Sequence, residues 1–287
     1  MAEPIQPTER LEPVDTQAET VVIEVPAPKK RRRRWIGVVI ALVVVVILLV
    51  VGFFVADAYA KTYAENYVRE RIVEVLKLDP AATVDVDLGS GSVLLQAARG
   101  GLDQVNVHVD TITFGDITGE AQITATQVPL DSSKPVDKLD IQVTVSEDNV
   151  KKLSGFLSGI DLKSIELKDG LIRIGTEFNL FFLNIPVAVD LNPTAKEGGI
   201  NFDPVTILLG EDEISVADLR ASPEFSSLAG DLLASRDFCV AGFLPKALTI
   251  DKVQVVGKNL VVGIDGDGTA LSDPALSTLG TCPEATN

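Results

Sequence analysis

The chain reads Lys29-Lys-Arg-Arg-Arg-Arg-Trp35 at the start of the stretch that decides its organisation, and an uncharged run rich in Val, Ile and Leu continues to Ala56. Residues 35–56 would form a helix about 33 Å long, and the hydrocarbon core of a bilayer is ~30 Å thick. Lys and Arg stay on the cytoplasmic side of membrane spans. The pattern therefore predicts a single-pass protein with a cytoplasmic N-terminus and an extracytoplasmic segment 57–287.

A cleaved signal peptide is the alternative interpretation of the same stretch. Ala56-Asp-Ala58 and Ala58-Tyr-Ala60 both have the Ala-x-Ala form of a cleavage site. Signal peptides have short basic segments and apolar cores of ~7–15 residues, whereas 34 residues precede the 22-residue apolar run here. We expect a retained anchor, and the segment 57–287 is exported in both interpretations.

Charge and composition separate an inner tail from an outer domain. Residues 1–34 contain five Pro and apolar residues without a period, which predicts a disordered cytoplasmic tail. The segment 57–287 can bury a sizeable core and has 35 acidic against 18 basic side chains, a net charge of −17. Such a surface repels polyanions. We therefore expect no nucleic-acid partner, and membrane contact through residues 35–56.

Both cysteines of the chain, Cys239 and Cys282, lie in the exported segment. An oxidising compartment permits a disulfide between them, which would hold the C-terminal residues against the domain. Two unpaired thiols are the alternative, because sequence does not give their separation. We predict the disulfide.

The exported segment changes from helical to strand-like periodicity after residue 78. Residues 57–78 have apolar side chains at helical spacing, and Asp79-Pro80 predicts the end of this helix. Further helices are predicted over 147–157 and from Ser222-Pro223. Alternating patterns predict half-buried antiparallel strands at 83–88, 105–114, 121–128, 139–145, 164–167, 171–175, 177–184, 186–191, 199–209, 247–256 and 259–265. The predicted class is α+β, dominated by antiparallel sheet.

Motifs that carry catalytic chemistry are scarce. His108 is the only histidine, so a transition-metal site has almost no ligands available. Gly89-Ser-Gly-Ser92 lacks the spacing of a nucleophile elbow and the Lys of a P-loop, and Asp265-Gly-Asp-Gly268 lacks the other ligands of a calcium loop. We predict no catalytic residue, no metal and no cofactor. A hydrolase that uses scattered carboxylates stays an alternative.

Residues 178–189 are apolar on both faces of a predicted strand, so both faces must be covered. A central buried strand satisfies this requirement. A strand whose second face lines a groove for acyl chains also satisfies it, since ligand sites are concave and mostly apolar and each buried CH₂ contributes about 0.8 kcal/mol. The candidate groove residues share an apolar side chain on or near the predicted sheet. They are Phe114, Phe156, Phe178, Leu180, Phe182, Phe202, Phe225 and Phe243.

Five stretches carry a resemblance to a known family. They are the helix 59–72, the turn and strand Gly91-Ser-Val-Leu-Leu-Gln96, Gly101-Leu-Asp-Gln-Val-Asn-Val107, Leu244-Pro-Lys-Ala-Leu-Thr-Ile-Asp-Lys-Val-Gln-Val255 and Asn259-Leu-Val-Val-Gly-Ile-Asp-Gly266. Over about residues 58–271 the chain resembles the LmeA-like family of actinobacterial envelope proteins, long catalogued as a domain of unknown function. Val93-Leu94 stand where the family pattern favours Pro-Phe.

The resemblance implies an extracytoplasmic phospholipid-binding domain without catalytic residues. Its fold would be a long curved antiparallel sheet with a few packing helices, similar to tubular lipid-binding proteins. The expected function is to hold phospholipid or glycolipid acyl chains in the groove and to support envelope glycolipid assembly, with an envelope biosynthesis enzyme as partner. The alternative is a non-catalytic structural or interaction domain in which the apolar run is ordinary core.

Overall fold

The computed structural model describes residues 31–76, 78–79, 82–114, 117–152, 163–180, 183–210, 212–222 and 234–282. The chain divides after Gly52 into an N-terminal unit and a second unit, and the second unit holds the strands. Helix α1 (Arg31–Leu76) includes the apolar run. Within the described ranges it is the one helix long and apolar enough to cross a membrane, as an anchor or a signal sequence would be.

Short helices and strands follow α1 in the described part of the chain. In chain order they are β1 (Val84–Asp87), α2 (Val93–Ala98), β2 (Gly101–Phe114), β3 (Ile117–Pro129), β4 (Lys138–Ser146), α3 (Glu147–Val150), β5 (Ser164–Lys168), β6 (Leu171–Leu180), β7 (Leu183–Lys196), β8 (Gly199–Leu209), β9 (Asp212–Ser215), α4 (Val216–Ala221), β10 (Arg236–Cys239), β11 (Thr249–Val256) and β12 (Asn259–Asp265). Single 3₁₀ turns lie at Ala241–Phe243 and Pro274–Leu276.

The strands pair antiparallel in two sheets. Sheet 1 has the order β1-β2-β3-β4-β12-β11, and sheet 2 has the order β10-β8-β7-β6-β5 with β9 paired to β8. Gly257 adopts a φ of 60° in the predicted turn between β11 and β12. The α+β class and the predominance of antiparallel sheet are therefore confirmed, and the strands are distributed over two sheets.

Within the described residues, the larger of two hydrophobic core clusters contains residues of both sheets. In β2 the alternate residues Val105, Val107 and Val109 are buried, and the residues between them are half-buried. Sheet 2 adds residues of β5 and β6, among them Leu167, which is 1% exposed. From α1, Ala64, Val68, Ile72 and Val73 pack against the same core. The alternation of apolar and polar residues in the sequence thus corresponds to a strand with one face in the core and one face toward solvent.

Three predicted elements need correction. The predicted strand in residues 91–96 is wrong, because Val93–Ala98 form α2, and the Ser92 hydroxyl accepts a hydrogen bond from the Leu95 N–H (3.1 Å) as its N-cap. The predicted break near Gly175 is also wrong, since β6 continues through it. A Cβ at Gly175 would require the Ser164 hydroxyl of the neighbouring strand to move, which is consistent with a glycine at a site of close approach within a strand.

The third correction concerns the helix predicted over 147–157. The described α-helix ends at Val150, and residues 153–162 lie outside the described residues. The helix predicted to begin at Ser222-Pro223 stays a prediction: Ser222 follows the last residue of α4, and residues 223–233 lie outside the described residues. Residues 1–30 of the predicted tail also lie outside them, and residues 31–34 form the first turn of α1.

Glu147 joins α3 to both sheets. Its carboxylate accepts hydrogen bonds from the Lys258 ammonium (2.7 Å) in the β11–β12 turn and from the Leu167 N–H (2.8 Å) in β5. Lys151 contributes a further ion pair at 3.3 Å. The hydrogen bond from Lys258, followed by that from Leu167, lowers the pKa of Glu147 from 4.5 to about 2. The ionised form of Glu147 therefore stabilises the native arrangement of the two sheets.

Glu147→Gln should make the free energy of unfolding less dependent on pH below 4.5. Because the pKa of Glu147 is lower in the folded than in the unfolded chain, its contribution is complete above pH 4.5 and is lost as the pH falls toward 2. Urea midpoints measured across this interval should fall less steeply in the variant than in the parent. Asp148→Asn removes an exposed carboxylate from the next position and controls for lost charge. Equal slopes in parent and Glu147→Gln would show that the junction is not linked to proton binding.

Candidate functional site

The inner face of sheet 2 continues past the shared core. Ile174 of β6 packs against that core, and residues directly opposite each other on paired strands share a face of the sheet. The register aligns Ile174 with positions in β7, β8 and β9, and the next row lies two residues farther along. Six apolar side chains in these two rows form a surface that we call the distal wall. They are Ile174, Val187, Val189, Ile207, Leu209 and Ile214.

The distal wall is less covered than the core beside it. Ile172, one row nearer the centre of the sheet, is 5% exposed. Val187, Val189 and Ile207 are only half-buried, and Leu209 is 41% exposed. Of the described wall residues, only Ile174 packs against the core cluster. The sheet therefore presents an apolar surface that the described core does not fill.

Two predicted groove residues occupy strand positions beyond the distal wall. Phe178 of β6 pairs with Ile185 of β7, and Leu180 pairs with Leu183, in the two rows that follow the distal wall. Their strand positions are described, and their side chains lie outside the described part of the structure. The apolar run in the sequence and the register of the distal wall thus both point to the β6–β7 end of sheet 2.

The other candidates lie elsewhere or outside the described residues. Phe202 pairs with Pro193, eight residues along β7 from Ile185, which is about 26 Å in a strand. It is half-buried and packs against the core. Phe243 is 66% exposed in the 3₁₀ turn near the disulfide, and Phe114 ends β2 in sheet 1. Three candidates lie outside the described ranges: Phe156, Phe182 and Phe225.

Sequence reasoning missed most of the wall because it searched for aromatic residues. Ile207 and Leu209 alternate at the end of β8, and Ile214 lies in β9, a strand that was not predicted. Alternation alone marks one apolar face. Only the cross-strand register shows that these aliphatic residues align with Val187 and Val189.

On the outer face of sheet 2, ion pairs link β6 to β7 and α4 to β8. Arg173 of β6 donates two hydrogen bonds to the carboxylate of Asp190 in β7, at 2.7 and 2.8 Å, and Asp190 is 6% exposed. The hydrogen bonds to Asp190 raise the pKa of Arg173. At the start of α4, Val216 is fully buried, and Arg220 pairs with Asp203 of β8 at 3.0 Å. The outer face therefore carries an ion pair that links β6 to β7, at positions adjacent to the first row of the distal wall.

The chemistry available at the distal wall is that of apolar contact. The sequence has no Lys or Arg in 174–195 or 197–219. Thr176 and Asp212 complete the second row at its two ends, because they lie in register with Val187 and Leu209, and the carboxylates of Glu177 and Glu213 lie at neighbouring positions. Within the described ranges, no group of three or more His, Cys, Asp or Glu could hold a metal ion. Such a surface can bind hydrocarbon by burying apolar area.

The predicted disulfide forms between Cys239 and Cys282, whose Cα atoms are 5.8 Å apart. It joins β10 to the C-terminal segment, which also pairs through the Lys246 N–H and the Thr278 carbonyl (2.9 Å). This linkage lies at the β7–β8 end of sheet 2, because Cys239 pairs with Gly199. It is therefore remote from the β6–β7 end of the same sheet.

Comparison with known protein families gives a match over most of the chain. The model of the LmeA-like phospholipid-binding family matches residues 55–264, which include the end of α1, β1 and all of sheet 2. The chain belongs to the LmeA-like phospholipid-binding family. No curated protein and no solved structure matches it significantly. Family membership supports lipid binding and confirms the resemblance predicted from the sequence.

Proposed function

We propose that this protein holds phospholipid acyl chains against the distal wall of sheet 2, as a non-catalytic, membrane-anchored protein of the cell envelope. The observation that carries the proposal is a half-exposed apolar surface on one face of a sheet, in a chain of a phospholipid-binding family. From Ile174 to Leu180 the strand spans about 20 Å. One leaflet of the hydrocarbon core is about 15 Å thick. The strand positions of the distal wall and of the two rows that follow it are therefore together long enough for an acyl chain.

The position of Asp57 supports a retained anchor. Its carboxylate accepts hydrogen bonds from the Ser92 hydroxyl (2.8 Å) and the Leu94 N–H (2.9 Å) at the start of α2. One turn later, the Lys61 ammonium donates to the Gly89 carbonyl at 3.0 Å. Cleavage after Ala58 or Ala60 would remove Asp57 from the domain. The disulfide further supports an oxidising, extracytoplasmic compartment.

Asp57→Ala should loosen the start of α2, because the Leu94 N–H loses its charged acceptor. Hydrogen exchange at residues 93–98 should become faster in the variant. Asp57→Asn keeps an acceptor and should give an intermediate rate. Unchanged exchange in Asp57→Ala would remove this support for the anchor. The intact mass of the membrane-extracted chain tests retention directly, since a cleaved chain lacks residues 1–58 or 1–60.

Photocrosslinking tests the lipid site in the full chain within its own membrane. p-Benzoylphenylalanine at Leu209, which is 41% exposed, should form a phospholipid adduct detectable by mass spectrometry. The matched control is the same residue at Val256, which is 51% exposed in β11. Equal adduct yields at both positions, or none at Leu209, would contradict a lipid site on the distal wall and favour the interaction-domain alternative.

The proposal extends to a role in envelope glycolipid assembly. A bound acyl chain would keep a phospholipid or glycolipid available to an envelope biosynthesis enzyme. Support for this role is the combination of a lipid-binding family with an apolar helix that is long enough to cross a membrane. An affinity-tagged full chain should retain such an enzyme only while the distal wall is intact.

A further inference from the structure

All three tyrosines of the chain lie on one side of α1, just after the apolar run. Tyr59, Tyr63 and Tyr67 recur every four residues, so successive rings are displaced by about 6 Å along the helix axis. Their side chains are 78%, 68% and 55% exposed, respectively. Three exposed aromatic side chains on one side of a helix form a surface that requires explanation.

Contacts on the other sides of α1 fix its rotation in the domain. Ala64 and Val68 pack against the core. The Arg69 guanidinium donates to the Val84 carbonyl at 2.6 Å, and the Lys61 ammonium contacts Asp87 at 3.2 Å. A rotation of α1 about its axis that buried the tyrosines would break these contacts. The tyrosine side is therefore the one that α1 presents outward.

The chemistry of this surface fits the headgroup layer of a bilayer. Tyr59 follows Ala56, the last residue of the apolar run, by three positions, and helical side chains point back toward the helix N-terminus. The headgroup layer is about 5–8 Å deep on each side of the membrane. Tyrosine favours this layer because its ring is apolar and its hydroxyl is polar. An uncharged phenol also avoids the repulsion that the acidic domain experiences near anionic lipids.

We propose that Tyr59 and Tyr63 insert into the headgroup layer of the outer leaflet, and that Tyr67 lies at its aqueous boundary. This inference rests on the proposed anchor. The two rings give the exported domain a second, aromatic contact with the bilayer, in addition to the membrane span. That contact holds the start of the domain at the membrane surface.

Site-specific fluorescence tests the inference in the full chain. In a Trp35→Phe background, Tyr59→Trp, Tyr63→Trp and Tyr67→Trp each place one indole on this surface, and the change between aromatic residues preserves exposed positions. The chains are reconstituted in phosphatidylcholine vesicles that contain phosphatidylcholine with a spin-labelled headgroup. Quenching by the lipid label should decrease from position 59 to 63 to 67. Quenching by aqueous acrylamide should increase in the same order, with a matching red shift of the emission.

Each other outcome overturns the inference. Three indoles that acrylamide quenches equally and the lipid label does not would place the surface in water. Indoles shielded from both quenchers would indicate a protein partner or a second copy of the chain. A chain that fails to insert would overturn both the anchor and this inference, whereas the photocrosslink at Leu209 reports on the distal wall independently.

Discussion

Val189→Asp should reduce phospholipid binding by about 5- to 100-fold, because a buried polar group without a partner costs ~1–3 kcal/mol and 1.4 kcal/mol corresponds to tenfold. Val189 lies in the first row of the distal wall, between Ile174 of β6 and Ile207 of β8. A carboxylate there would face the acyl chain. Equilibrium binding of a phosphatidylcholine with a pyrene-labelled acyl chain measures the effect in the full chain.

Val256→Asp is the matched control for this substitution. It makes the same chemical change at an apolar position that is 51% exposed at the end of β11, and it should leave lipid binding unchanged. Leu209→Asp provides a second test within the wall, because a side chain that is 41% exposed tolerates a charge without unfolding the sheet. Unchanged lipid binding by folded Val189→Asp and folded Leu209→Asp would contradict lipid binding at the distal wall.

The second large effect is expected from the disulfide. Cys239→Ser combined with Cys282→Ser opens a loop with a sequence separation of 43. Chain entropy for a loop of this length corresponds to about 4 kcal/mol. In a domain of this size, a loss of that magnitude lowers Tm by about 10 °C. Calorimetry of the double variant and the oxidised parent measures the difference.

Lipid binding should survive this double substitution at temperatures below its reduced Tm. The disulfide lies at the β7–β8 end of sheet 2, and the distal wall continues toward the β6–β7 end. The phosphatidylcholine binding assay at low temperature separates the two effects. Loss of lipid binding in a folded double variant would place the lipid site near Cys239. An unchanged Tm would show that the linkage does not restrain the unfolded chain.

The sequence predicts the strands of sheet 1 well, because one face of each strand is wet and the alternation is regular. Val105, Val107 and Val109 are buried in the order that the pattern indicates. The short helix α2 was not predicted, because its formation depends on the Ser92 cap and on Asp57, 35 residues earlier in the chain. A local apolar pattern does not report such a distant contact.

The candidate site was only partly predictable for a related reason. The run 178–189 indicated the end of sheet 2 toward which the distal wall extends, since an uninterrupted apolar pattern indicates cover on both faces. Aromatic content gave no information on position, and Phe202 and Phe178 lie in rows about 26 Å apart along the sheet. The wall itself is defined by pairing between β7, β8 and β9. Pairing partners separated by a turn of unknown length cannot be aligned from the sequence alone.

Native mass spectrometry of the full chain, released from detergent, tests the central claim most directly. The parent should carry a phospholipid mass at fixed stoichiometry, and extraction of the sample identifies that lipid. Val189→Asp should lose this mass and Val256→Asp should keep it, because lipid that adheres to α1 is common to all three chains. A phospholipid mass that is equal in the parent and in Val189→Asp, or absent from both, would contradict lipid binding at the distal wall.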